Sequence, residues 1–151
     1  MNSMINSQQL YNKDFVEWCK MTTSQLKERN FKHLDIDNLI EEIESLAKRE
    51  RRELKSRLTV LLAHLLKRIY VNSPENFNGW ELTIREQRRQ IQDLLNDSPS
   101  LNSYLGEILD TVYRDALDDV RFEYKQTEFP DIWEFDLESN ALLSEKYWEE
   151  T

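Results

Sequence analysis

The chain has 151 residues and carries 29 acids against 20 lysines and arginines, a net charge of −9. Two glycines and three prolines leave little material for the tight turns of a β-sandwich, and helically spaced apolar residues amid 32% charged residues point to an all-α fold. The single cysteine, Cys19, excludes an internal disulfide framework. No run reaches the length of a membrane span and MNSMINSQQL lacks a signal-peptide core, so a cytoplasmic protein is the simplest expectation.

A first helix is expected from Asp14, a good N-cap, to about Arg29, with Phe15, Trp18, Cys19 and Leu26 at helical spacing. Asn30 suits the left-handed residue that stops it. A second helix starts at Asp35, where Leu34 and Leu39 can form a hydrophobic staple. From Ile36 to about Val71 no Gly or Pro interrupts the pattern, so this helix should span roughly 54 Å and form the spine. Over 36–58 it is amphipathic. VLLAHLL (60–66) is apolar around most of its circumference, which places it centrally in the bundle or against a second subunit.

VNSPENFNG (71–79) reads as a loop. A third helix follows from about Trp80 to Asn96, with Trp80, Ile84, Ile91, Leu94 and Leu95 on one face and Gln87 and Arg88 flanking it. Ser98-Pro99 resembles an N-cap with Pro at the first helical position. The fourth helix then runs to about Tyr124, with Leu101, Leu105, Ile108, Val112, Ala116 and Val120 inward. Beyond Pro130, the residues Trp133, Phe135, Leu137, Leu142 and Leu143 can form one short docking helix. The expected architecture is an all-α helical bundle of four main helices, with one very long second helix (about 36–71) and a short C-terminal helical extension. A single domain over 10–140 and an acidic tail over 141–151 complete it.

Three stretches carry a family resemblance: LYNKDFVEW (10–18), LDIDNLIEEIESLAKRERRELKSRLTVLLAHLLK (34–67), and the Trp80-x-x-Thr-Ile-Arg-Glu-Gln-Arg-Arg-Gln-Ile run with the Leu95–Leu105 segment after it. Over roughly residues 10–140 the chain resembles the bacterial family known as domain of unknown function 29. The resemblance implies an all-helical fold and brings no agreed activity, so it assigns no catalytic residue. It points to the Ile-Glu-Glu-Ile-Glu run (40–44), Arg57, His64 and the Arg85–Arg88 segment as the polar residues a typical member keeps.

Glu50, Arg57 and His64 recur every seven residues on the apolar stripe that holds Leu39, Ile43, Leu46, Leu54 and Leu61. Ionisable groups on such a stripe need partners. Successive members lie about 10.5 Å apart along the axis, so Glu53, at i,i+4, is the natural partner of Arg57. For His64 the third helix offers Gln87 or Arg88, with Trp80 as a wall. The set Glu50, Glu53, Arg57, His64, Trp80, Gln87 and Arg88 is therefore either a polar seam that fixes helix register or the lining of a ligand-binding or catalytic pocket.

No metal site is expected. His33 and His64 lack the Glu-x-x-His spacing of a di-iron bundle, having Asn30 and Leu61 three residues earlier, and one cysteine cannot build a zinc site. Two glycines cannot form a phosphate-binding loop, so no nucleotide cofactor is implied. Cys19 reads as a small core hydrophobe. In KRERRELKSR (48–57), Lys48, Arg51, Arg52 and Lys55 form a basic face. Its uses are a solvated surface paired with the acidic segment Glu128–Glu138, or contact with nucleic acid or an acidic partner; the acidic total disfavours nucleic acid. The leading reading is a non-enzymatic protein-interaction module, homo-oligomeric or bound to another protein. A small-molecule-binding or enzymatic bundle with its pocket near His64, Trp80 and Arg88 is the alternative, and a nucleic-acid-associated factor using the basic face is a third.

Overall fold

The computed structural model describes residues 6–135 and 138–148, so the expectation for Leu137 and the end of the acidic tail lie outside the described residues. Among those described, all regular structure is helical: α1 (Ser7–Lys13), α2 (Phe15–Lys27), a single 3-10 turn (Phe31–His33), α3 (Ile36–Tyr70), α4 (Pro74–Asp97), α5 (Leu101–Glu123) and α6 (Ser139–Ser144). The contacts gather into two compact units, one up to Lys48 and one from Arg49 onward. α3 gives its first turns to the first unit and the rest to the second.

In the first unit, α1 was not expected. Asn6 accepts from the Gln9 amide while the Gln9 side chain accepts from the Asn6 amide, a capping box. Asp14 caps α2 through the Glu17 amide. The left-handed stop falls on Arg29 (φ 57°), not Asn30. The Asn30 amide then donates to the Gln25 carbonyl at 2.8 Å, closing the Schellman-type turn. A non-glycine residue holds that conformation at a cost of about 1–2 kcal/mol, which the recovered carbonyl bonds offset.

Asp35 caps α3 as expected, accepting from the Asn38 amide at 3.4 Å. It is itself buried, and its carboxylate also accepts from Trp18 Nε1 (3.1 Å) and Asn38 Nδ2 (2.7 Å). Tyr11, Phe15 and Trp18 pack ring to ring, and the Tyr11 hydroxyl donates to Glu42. α1 and α2 thus meet α3 along its Asp35–Asn38–Glu42 side. The neighbouring side, with Ile36, Ile40, Ile43 and Leu46, is 49–59% exposed. That corrects the inward placement of Ile43 and Leu46: the stripe exists, but these turns have no cover.

In the second unit the same stripe is sealed. Leu54, Leu58, Leu61, Leu62, Leu65 and Leu66 are fully buried against Ile84 and Ile91 of α4 and Val112, Ala116 and Val120 of α5. The apolar-all-round segment 60–66 is therefore central within this fold. α4 begins at Pro74, earlier than expected, because Pro at the first helical position loses no needed amide; the loop shrinks to Val71–Ser73. α5 starts at Leu101 rather than at Ser98-Pro99. Among the described residues of the C-terminal segment, Ser139–Ser144 is the helical part. Trp133 and Phe135 precede it, and Trp133 packs on Tyr113, Phe135 and Tyr147. Leu142, expected in the short docking helix, is fully buried, and Tyr147 and Trp148, in the stretch expected as tail, pack on the core.

Candidate functional site

Part of the seven-residue polar series assembles. Arg57 donates through Nε to Glu53 (3.0 Å) and through Nη1 to Gln87 of α4 (3.3 Å). The bridge crosses from α3 to α4 at the edge of the sealed leucines. Glu50 does not take part; it is exposed, one turn before the cover begins. That corrects its assignment to the buried face.

His64 takes a different partner from those expected. Its Nδ1 lies 2.8 Å from the Val60 carbonyl, one turn back on its own helix. Burial holds its pKa below the ordinary 6.5, partly opposed by that carbonyl. Nδ1 donates there, because a carbonyl oxygen can only accept. Trp80 packs on Phe77 and edge-on against Tyr124, with the Lys67 ammonium 5.6 Å from its ring. Lys67, absent from the expected set, is buried along its stem and reaches Glu123 at 3.5 Å.

Arg88 serves the C-terminal segment. Its Nε donates to the Leu142 carbonyl (2.8 Å) and its Nη2 to the Glu145 carbonyl (2.6 Å), satisfying acceptors at the open end of α6. Burial lowers its pKa. The cleft beside it, about 410 Å³, is walled by Glu81, Ile84, Arg85, Leu143, Lys146 and Trp148 among others, and by neither His64 nor Trp80. Arg68 was also missed. It pairs with Glu81 at 3.0 Å, with Phe77 3.8 Å and Trp148 5.2 Å from its guanidinium. The only sequence signal for it was a basic residue in the last turn of α3.

On the basic face, Lys48, Arg51 and Arg52 are exposed and Lys55 is half-buried. The Arg51 guanidinium sits 5.7 Å from the Tyr104 ring, and Asp131 of the acidic segment is paired with Arg121 at 2.7 Å. Cys19 is half-buried. Among the described residues, no three His, Cys, Asp or Glu side chains converge as a metal site would require.

The feature that stands apart is the bare face of α3. Ile36, Ile40, Ile43 and Leu46 follow a 4-3-3 spacing, the pattern of a helix face built to be covered. The class is thus an all-helical protein with an Arg57 bridge between α3 and α4 and an exposed aliphatic face on the first turns of α3, and no helix among the described residues is long and apolar enough to cross a membrane. The family model described as Domain of unknown function DUF29 matches residues 10–148, and the chain belongs to that family. No curated protein and no solved structure matches it.

Proposed function

We propose that the protein is a cytoplasmic, non-enzymatic interaction module that docks a partner chain, another copy or a different protein, on the first turns of α3. One observation carries this: four aliphatic side chains about half exposed on one helix face. Together they present a patch of a few hundred Å², the size at which surface apolar area marks a contact site. Three of the titratable groups singled out in the sequence support the same reading, since each has a structural task. Arg57 bridges two helices, His64 is bonded within its own turn, and Arg88 holds α6.

A photo-crosslinking residue at position 43 tests the proposal in the native cell. Adducts should form from position 43, to a second copy or to another protein, and not from position 110, an exposed site on α5. An absence of adducts at 40, 43 and 46 would overturn it.

A further inference from the structure

The charges around the bare face narrow what covers it. Residues 36–47, IDNLIEEIESLA, hold Asp37, Glu41, Glu42 and Glu44 and no Lys or Arg. At about 100° per residue, Asp37 and Glu44 fall along one edge of the Ile36–Leu46 stripe and Glu42 along the other. The Tyr11 bond to Glu42 fixes that second edge as the one facing α1. The stripe is therefore aliphatic in the middle and acidic at both borders.

A second copy matches this surface poorly. Its own 36–47 face would set acid against acid, and like charges across an interface are unfavourable. Its basic residues follow at Lys48, Arg51 and Arg52, but the apolar residues in step with them, Leu54 and Leu58, are fully buried in its own fold. Over residues 36–47 a copy therefore offers acids, and no Lys or Arg, to this stripe.

We infer that the occupant of the Ile36–Leu46 face is a basic amphipathic helix of another protein, with apolar residues at i, i+3, i+4 and i+7 and Lys or Arg along their borders. The inference rests on the docking role proposed above and names the chemistry of the partner. The partner's apolar residues cover Ile36, Ile40, Ile43 and Leu46, and its cations lie beside Asp37 and Glu44. The patch is smaller than the roughly 800 Å² per partner of a standard interface. The contact should therefore be of modest affinity and weaken with salt.

The test uses the full chain and two synthetic amphipathic helices of identical apolar pattern, one bordered by Lys and one by Glu, followed by fluorescence anisotropy. The Lys helix should bind and the Glu helix should not. Ile43→Asp should weaken the Lys helix about tenfold or more, with the helical circular dichroism unchanged because Ile43 is exposed. Glu44→Lys should weaken the Lys helix and strengthen the Glu helix. Equal binding of the two helices, or unaltered binding to Ile43→Asp, would overturn the inference. So would a wild-type dimer in sedimentation that Ile43→Asp converts to monomer, because a second copy would then be the occupant. That last result leaves the docking role standing, whereas a lack of crosslinks at the face removes the role itself.

Discussion

One face of α3 has two fates. From Leu54 to Leu66 it is closed over by α4 and α5, and six of its leucines are fully buried. From Ile36 to Leu46 residues of the same kind, at the same spacing, stand about half in solvent. The pattern of the helix is continuous; the cover is not. In the first unit α2 meets α3 through the Trp18–Asp35 bond and α1 through Tyr11–Glu42, both on the adjacent side. Amphipathic periodicity specifies which side of a helix wants burial, while the rest of the chain specifies which turns receive it.

Substitutions along this face probe the contrast most directly. Leu61→Ala should cost about 2–5 kcal/mol in denaturant unfolding, as for a buried leucine whose cavity cannot collapse; a loss below about 0.5 kcal/mol would mean the sealed half is not sealed. Arg88→Ala should cost about 1–3 kcal/mol by leaving the Leu142 and Glu145 carbonyls without their donor. Hydrogen exchange should quicken in α6 more than in α3, and equal quickening would show that Arg88 does not act through α6. In the first unit, Asp35→Ala removes both the cap of α3 and the acceptor of the Trp18 indole. A loss of about 1–2 kcal/mol is expected, together with a red shift of tryptophan emission; neither change would place the organising contact elsewhere.

His64 gives a pH signature for the sealed half. Its folded pKa lies below the ordinary 6.5 because burial disfavours the charged ring. The unfolded chain therefore takes up the proton first, and stability falls as the pH drops below about 6.5, until the folded pKa is reached. One such group changes stability by at most about 1.4 kcal/mol per pH unit. Wild type should lose more stability than His64→Gln between pH 7 and 5.5; parallel curves would mean His64 is not desolvated. The smallest effect belongs to the bare half. Ile43→Ala should change stability by no more than about 0.5 kcal/mol, and a larger loss would mean that something in the chain covers it.

The Arg57 bridge shows how far the sequence reaches into the site. Its i,i+4 partner Glu53 follows from helix geometry alone, and Gln87 was among the third-helix residues named beside that face. For His64 the sequence points to a partner across the bundle; it bonds instead to Val60, because a half-buried histidine in a helix has a carbonyl within reach one turn back. Arg88 was placed beside His64 but holds α6, a contact 54 residues away along the chain that no local pattern announces. Arg68 and Lys67 carried no signal beyond their place at the end of a helix.

The sequence by itself determined the all-α class, the long uninterrupted α3, the Asp14 and Asp35 caps, and the apolar faces of α4 and α5. All of these rest on local rules: missing breakers, capping oxygens and a period of 3.6. Only the tertiary structure decided that Glu50 faces solvent, that the 60–66 segment is consumed within the second unit, and that Ile36, Ile40, Ile43 and Leu46 are left uncovered. The reason is physical. Burial belongs to pairs of surfaces, and a sequence displays one member of each pair at a time.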